Sequence, residues 1–357
     1  MPRKKEKSPS FDDALAQLTA AEFPSEELLR ALSGAGVDRQ ADLERAWRAL
    51  DADRRARLVA DLDEMARTDV EVEFSLVFRL GLRDADARVR LTSALGLWEC
   101  ELPEVIAPLL HALRSDVSDD VRAAAAQSLG HFLYAAEVDR LNGARGREIY
   151  EALLQALRRA PDESPLYQRA LESIAYVGSV DVDFFLRSAI ASDDAGLKLS
   201  AVIGMGRSEN QAYQLLVRDE LQHVSPAVRR EAARAAGELE DVDAVKDLAE
   251  LIDDPDHGVR DAAIEALAQV GGLEAKRILE SVAAAAEDDV KAKAEEALQM
   301  YEMLHGEFDF NVNIFDEESR TSFHTVNAAK AAKAVKIAKT AKAGRKGSAP
   351  VAPTDGE

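Results

Sequence analysis

Residues 253–271 read DDPDHGVRDAAIEALAQVG, and text of the same kind recurs along much of the chain. The spacing is a constant 31 residues through the apolar positions Leu166, Leu197, Val228, Val259 and Val290. A constant period of about 20 to 50 residues is typical of stacked supersecondary units. The sequence therefore predicts a repeat protein, in which Val89 and Val121 align as the anchor residues of two earlier repeats.

The residues around each anchor have roles expected of a helix packed against its neighbours. Three positions before the anchor stands a residue able to cap the helix, namely Asp86, Ser118, Asp194, Ser225 or Asp256. Four positions after it stands an alanine that lets neighbouring helices approach closely, namely Ala125, Ala170, Ala201, Ala232, Ala263 or Ala294. Each repeat is therefore predicted to supply one tightly packed second helix, preceded by a first helix.

This pattern predicts seven helix pairs with short polar connections. The pairs are Glu71 to Leu82 with Asp86 to Trp98, Glu104 to Leu113 with Asp119 to Leu133, Arg147 to Arg159 with Pro165 to Val177, Asp181 to Ile190 with Ala195 to Met205, Gln211 to Leu221 with Pro226 to Leu239, Asp243 to Ile252 with His257 to Val270, and Glu274 to Ala285 with Asp288 to Leu304. The predicted fold is all-α, an α-solenoid with a divergent helical cap before it and a disordered basic tail after it.

Five regions are expected along the chain. They are a disordered basic N-terminus (1–10), a helical N-terminal cap (11–69), the repeat solenoid (70–305), an extended strand-like segment (306–327) and a disordered Lys/Ala-rich tail (328–357). The cap is expected to hold helices over Phe11 to Leu32, Asp38 to Leu50 and Arg54 to Arg67.

Two irregularities interrupt the period. A surplus of 14 residues falls around 134–147, where YAAEVDRLNGARGR predicts a surface loop, and insertions in solenoids often lie on the binding face. Residues 308–315, FDFNVNIF, alternate apolar and polar side chains as a strand does. We expect this second segment to cover the apolar end of the last repeat, or alternatively to pair with the sheet edge of a partner.

Composition narrows the class of protein. Of 357 residues, 47% are hydrophobic but only 5% aromatic, a mixture suited to closely packed helices. The single cysteine, Cys100, cannot form an internal disulfide and indicates a reducing compartment. No apolar run reaches the length of a membrane span, and MPRKKEKSPSF lacks the apolar core of a secretion signal. We expect a cytoplasmic, monomeric protein.

Charge is distributed unevenly. Residues 8–327 contain 34 Lys or Arg against 63 Asp or Glu, whereas residues 328–357 contain seven against two. An acidic body repels nucleic acid and anionic membranes, and a basic tail attracts them. The expected polyanion-binding residues of the tail are Lys330, Lys333, Lys336, Lys339, Lys342, Arg345 and Lys346. A flexible solubilising extension, or a tail bound to the acidic body, are the alternatives.

The repeat resembles the HEAT family, in particular the HEAT-like type first noted in phycobilisome lyases. The matching text is DDPDHGVRDAAIEAL, SPAVRREAARAAGEL and SDDVRAAAAQSLG, and the resemblance covers roughly residues 70–304. It implies a helical solenoid, but such repeats serve both as scaffolds and as enzymes.

Enzyme chemistry finds little support in the residues. The resemblance raises the possibility of a deoxyhypusine hydroxylase, a family that binds two irons through His-Glu pairs. None of the six histidines here precedes a glutamate: His111, His131, His223, His257, His305 and His324. Neither GxxxxGK[ST] nor a strand-linked GxGxxG occurs. We therefore expect no catalytic residue, metal or cofactor, although an enzyme or enzyme subunit of the bilin-lyase type, with a ligand in a concave groove, stays open as the alternative.

One column of cations stands one position after the anchors. Its members, the cation row, are Arg90, Arg122, Lys198, Arg229, Arg260 and Lys291. They are predicted either to pair with turn acids such as Asp116 and Asp254, forming a ladder between repeats, or to bind an acidic peptide of a partner. The main hypothesis is a non-enzymatic scaffold that binds a protein of unknown identity, with a tail that tethers it to a polyanion.

Overall fold

The computed structural model describes residues 9–20, 23–285 and 288–305, and most of them are helical. The described helices are α1 (Phe11–Leu18), α2 (Glu26–Arg30), α3 (Gln40–Ala49), α4 (Ala52–Thr68), α5 (Ser75–Gly81), α6 (Ala87–Leu95), α7 (Ile106–Ser115), α8 (Asp119–Glu137), α9 (Gly143–Arg159), α10 (Pro165–Ile174), α11 (Val180–Ile190), α12 (Ala195–Arg207), α13 (Gln214–Asp219), α14 (Pro226–Glu238), α15 (Val245–Glu250), α16 (His257–Val270), α17 (Gly272–Ala285) and α18 (Asp288–His305). The predicted strand-like segment (306–327), the tail (328–357) and residues 1–8 lie outside the described residues.

Within the described part, α5 to α18 form seven consecutive pairs, which confirms the predicted all-α solenoid. The second helix of each pair packs on the second helix of the next, so that α6, α8, α10, α12, α14, α16 and α18 form one continuous layer. Each first helix packs on its own second helix. The apolar core lies between these layers.

The repeated residues act largely as their positions predict. Asp256 Oδ1 accepts a hydrogen bond from the Val259 amide at 3.1 Å, and Asp194 caps α12 in the same way. The prediction for Ser225 is wrong, because its side chain makes no capping bond and its own amide donates to His223 Nδ1 at 3.0 Å. The alanines four positions after the anchors are all fully buried: Ala125, Ala170, Ala201, Ala232, Ala263 and Ala294.

Close approach of the second helices also requires glycine. A Cβ added at Gly130 of α8 would lie 2.8 Å from the Cβ of Ser173 on α10. One added at Gly206 of α12 would lie 3.0 Å from the Cβ of Ala235 on α14. These distances are shorter than side chains tolerate, so the spacing of the layer depends on small residues.

The N-terminal cap consists of α1 to α4 and differs from the prediction at its start. The sequence predicts one helical stretch over Phe11 to Leu32, but the structure has two short helices with Pro24 between them. Proline removes an amide donor and restricts the residue before it, which favours a helix end there. The cap joins the first pair through Asp84, which accepts from Trp47 Nε1 at 2.8 Å and pairs with Arg55 at 2.7 Å.

The surplus residues around 134–147 do not form the predicted loop. Instead α8 runs on to Glu137 and α9 begins at Gly143, so both helices are longer than their counterparts in other pairs. Alanines continue α8, and Gly146 lets α9 approach it so closely that an added Cβ would lie 2.6 Å from Ala136. The insertion therefore extends a helical hairpin.

Candidate functional site

Two members of the cation row form identical bridges between neighbouring pairs. Nε and Nη2 of Arg90 donate to the two oxygens of Asp116 at 2.7 and 2.9 Å, and Nη1 donates to the carbonyl oxygens of Asp84 and Ala85. Asp116 belongs to the turn of the following pair. Each guanidinium therefore binds its own turn through one nitrogen and the next turn through two.

Arg229 repeats this geometry with Asp254. Its Nε and Nη2 donate to Asp254 at 2.7 and 2.9 Å, and its Nη1 donates to the carbonyl oxygens of His223 and Val224. The side chains are 14% and 6% exposed. The hydrogen bond from Arg229 holds the pKa of the Asp254 carboxyl below its usual value, with a smaller contribution from the Asp256 amide and against an opposing effect of burial.

The remaining members of the row are bound less completely. Lys198 Nζ contacts Glu220 at 2.7 Å, and Arg122 binds the Leu113 carbonyl and Asp119. Arg260 donates through Nη1 to the carbonyl oxygens of Asp254 and Pro255 at 2.9 and 3.4 Å, but its Nε and Nη2 have no partner among the described residues. Lys291 is exposed, again without a partner in the described part. Binding of a partner by this row stays a prediction.

A second position accompanies the two-pronged arginine bridges. Five residues before the anchor, Asp84 pairs with Arg55 of the cap, and Asp116 and Asp254 pair with a cation on the second helix of the preceding pair. The equivalent residues in the other pairs are Pro161, Ser192, His223 and Ala285, none of which is an acid. This acid column is visible in the sequence, and it separates the two-pronged bridges of Arg90 and Arg229 from the other contacts of the row, such as that of Lys198 with Glu220.

The second-helix layer carries a further ion cluster that the sequence did not single out. Glu172 of α10 is only 3% exposed, accepts from Ser200 Oγ at 2.8 Å and pairs with Arg169 at 2.8 Å. Burial raises the pKa of the Glu172 carboxyl above its usual value, and the Arg169 charge offsets this only in part. The carboxyl is thus held in a site that disfavours its charge.

Next to this carboxyl, two tyrosines and an arginine from successive repeats form the Tyr–Arg cluster of Tyr134, Tyr176 and Arg207. The tyrosine ring centroids lie 5.2 Å apart, and the Arg207 guanidinium lies 5.8 Å from the centre of the Tyr176 ring. Arg207 Nη1 also donates to the Glu172 carbonyl at 2.9 Å. Tyr134 is 40% exposed, so the cluster can be reached from solvent.

A cavity of about 480 Å³ lies between the cap and the first pair, with Phe74, Trp98 and Cys100 among its lining residues. Burial raises the pKa of the Cys100 thiol, so it is a weak nucleophile at neutral pH. Among the described residues, no group of three or more His, Cys, Asp or Glu side chains is arranged to hold a metal ion. None of the described helices is both long and apolar enough to cross a membrane.

Several predicted site residues lie outside the described residues. They are the polyanion-binding cations of the tail, Lys330, Lys333, Lys336, Lys339, Lys342, Arg345 and Lys346, together with His324. Of the other histidines, His223 accepts the Ser225 amide and His305 contacts the Ala268 carbonyl at 3.0 Å.

Several solved structures resemble the chain at low identity. The complex of CpcE and CpcF of phycocyanin lyase from Nostoc is 14% identical, covers 84% of this chain and 98% of that chain, and has a TM-score of 0.47. Yeast importin-beta (Kap95p) is 13% identical, with a match that covers 82% of this chain and 46% of that chain at a TM-score of 0.48. Human deoxyhypusine hydroxylase in complex with glycerol is 21% identical, with a match that covers 82% of this chain and 96% of that chain at a TM-score of 0.34. Likenesses this weak carry no argument about activity.

Family models agree with the helix pairs. A model of HEAT repeats matches residues 215–299, and a model of a single HEAT repeat matches residues 105–135. No curated protein matches the sequence. Both matched stretches fall on helix pairs with the anchors and buried alanines described above, and these stretches of the chain are HEAT repeats.

Proposed function

We propose that the protein is a non-enzymatic scaffold that binds a partner protein through its second-helix layer, with the Tyr–Arg cluster at the centre of the contact. The observation that carries this proposal is the contact of Tyr134, Tyr176 and Arg207, in which Tyr134 is exposed and the other two side chains are half-buried. Tyrosine and arginine are enriched among the residues that contribute most to protein interfaces. Side chains that are ordered before binding also lose less entropy when a partner docks.

The network beneath the cluster supports the same role. Arg207 is held by the Glu172 carbonyl, and Glu172 is in turn held by Ser200 and Arg169. These contacts link α10 to α12, so a partner would meet a surface built from several repeats. A contact of this kind needs no cofactor and no chemical step.

A capture experiment tests the proposal. The full chain, immobilised, is exposed to an extract of its source cells, and bound proteins are identified by mass spectrometry. The double variant Tyr134→Ala, Tyr176→Ala should lose a partner that the wild type retains, with affinity weakened by roughly 30-fold for a loss of about 2 kcal/mol.

Phe184→Ala is the matched control. Phe184 is 66% exposed on α11, a first helix, so its removal alters an exposed aromatic side chain in the other layer. It should leave the capture unchanged, and circular dichroism should show equal helix content in all three proteins. Equal retention of every captured protein by the double variant would contradict the proposed contact.

We further propose that the tail from 328 to 357 tethers the scaffold to a polyanion such as nucleic acid, in the cytoplasm and as a monomer. Seven cations against two acids support this role. Binding to duplex DNA should weaken with salt, with a log–log slope of about 0.9 per phosphate contacted. Deleting residues 328–357 should abolish retention on DNA at low salt, and unchanged retention would refute the tether.

The second candidate function is an enzyme or enzyme subunit of the bilin-lyase type. The cavity beside Trp98, of about 480 Å³, is the feature that favours a bound ligand. Visible absorbance in protein purified from its source would support this candidate over a scaffold. We expect none.

A further inference from the structure

The ladder of cations and turn acids is open at Arg260. Like Arg229, Arg260 uses Nη1 to bind two carbonyl oxygens of its own turn. The Nε and Nη2 edge, which in Arg229 holds Asp254, has no partner among the described residues. The reason is in the sequence, because Ala285 stands where the acid of a closed rung would be.

Arg260 is one of the residues that line a groove between the last two helix pairs. The groove has a volume of about 930 Å³ and includes the apolar side chains of Ile252, Ile278, Val282 and Val290. All four are only partly buried. In the last pair, residues 282–285 at the end of the first helix read VAAA, where the equivalent residues 251–254 of the preceding pair are the larger LIDD. Small side chains in this turn leave the space open.

The bridges of Arg90 and Arg229 show which side chains would occupy the groove beside Arg260. In the two rungs formed by Arg90 and Arg229, the acid follows a buried leucine by three residues: Leu113 precedes Asp116, and Leu251 precedes Asp254. The leucine packs into the core while the carboxylate reaches the guanidinium edge. At the open rung the equivalent residues are Val282 and Ala285, which supply neither the larger apolar group nor the carboxylate.

Charge around the groove limits the rest of the occupant. Residues 238–302 carry 19 Asp or Glu against six Lys or Arg, and the exposed acids Asp253 and Asp289 line the groove. A strongly acidic segment would be repelled by this field. A segment with one or two carboxylates and flanking cations would bind the guanidinium edge and also neutralise the rim.

We propose that this groove docks a short helical turn of a partner protein in which leucine and aspartate stand three residues apart, flanked by basic residues. The inference rests on the proposed scaffold function and names a second contact, separate from the Tyr–Arg cluster. The aspartate binds Nε and Nη2 of Arg260 in the two-pronged manner of Asp254 on Arg229. The leucine packs against Ile278 and Val282.

The test uses a labelled peptide in which Leu-Ile-Asp-Asp, the sequence of residues 251–254 that contains Asp254 of the Arg229 bridge, stands between two pairs of lysines. Fluorescence anisotropy with the full-length protein should show saturable binding. Arg260→Gln should weaken it at least tenfold, and replacing both aspartates of the peptide by asparagine should do the same. Ala285→Asp, which adds a competing carboxylate beside Arg260, should also weaken binding.

Lys291→Gln is the control, because it removes an exposed cation of the same row that lies outside the groove. It should leave binding within about twofold. Absence of saturable binding, or equal binding by wild type and Arg260→Gln proteins of equal helix content, would overturn the proposal. Tighter binding of the asparagine peptide would show that the groove takes a purely basic segment, which overturns it too. Loss of capture in the Tyr134, Tyr176 double variant is independent of these results, so failure here leaves the scaffold function standing.

Discussion

Asp254→Ala should destabilise the end of the array by breaking the rung between α14 and the turn before α16. The carboxylate accepts two hydrogen bonds from Arg229, at 2.7 and 2.9 Å, and one from the Asp256 amide at 2.9 Å. Its removal leaves Nε and Nη2 of a guanidinium that is only 14% exposed without a partner. The variant therefore tests whether the ladder contributes to stability.

The expected loss can be bounded from this geometry. Breaking a buried ion pair by removing one partner costs about 3–5 kcal/mol, because the remaining charge is uncompensated. Arg229 keeps its bonds to two carbonyl oxygens and some solvent access, so we expect about 3 kcal/mol. Asp253→Ala is the matched control: this neighbouring acid is exposed, and its loss should change the free energy of unfolding by no more than about 0.5 kcal/mol.

The effect should depend on pH in a defined direction. Because the pKa of Asp254 is lowered in the folded state, its contribution is present above the unfolded pKa of about 3.9 and is lost as pH falls through the folded value. The difference between wild type and Asp254→Ala should therefore be constant from neutral pH down to about pH 5 and shrink below about pH 4.

Urea denaturation followed by circular dichroism measures the free energy of unfolding, and hydrogen exchange locates the change. Since each repeat contacts mainly its neighbours, α15 to α18 should lose protection before the earlier pairs. A double-mutant cycle with Arg229→Met should give a coupling of about 2 kcal/mol. The reasoning is refuted if Asp254→Ala costs no more than Asp253→Ala, or if its cost persists unchanged at pH 3.

Two further changes should act in opposite directions. Glu172→Gln should stabilise the protein at neutral pH, because burial disfavours the charged form of Glu172 and so raises its pKa. This gain in stability should fade as pH drops through the raised pKa, and denaturation at several pH values would measure it. Gly130→Ala should lower the free energy of unfolding by about 1–3 kcal/mol, because the new methyl group meets Ser173. Gly178→Ala, whose methyl group meets nothing within 4 Å, should not destabilise the protein, and calorimetry compares the two variants.

The fold could be predicted because it depends on local signals that recur. Anchor, cap and alanine positions repeat at 31 residues, and each is read within one helix. Pro24 could also have indicated the break between α1 and α2. The prediction of a loop around 134–147 was wrong for a different reason. Alanines continue α8, and only the packing of Gly146 on Ala136 shows that a longer helical hairpin fits.

The Tyr–Arg cluster could not be found from the repeat alone. Tyr134 stands 13 residues after its anchor and Tyr176 stands 10 after its own, so the two tyrosines occupy different positions of the repeat. The extension of α8 brings Tyr134 beside Tyr176. Contacts that depend on an insertion between repeats cannot be predicted from the repeat period.

The cation row shows how a repeated residue can have two roles. Where an acid stands five residues before the next anchor, as Asp116 and Asp254 do, the cation is used within the chain. Absence of that acid does not by itself make a cation available, because the next pair has Pro161 at this position and Arg122 pairs with the nearby Asp119 instead. At Arg260 the acid is missing, no other carboxylate of the described residues replaces it, and small side chains open a groove beside it. Binding capacity in this array is therefore expected where a rung and the packing next to it are both incomplete.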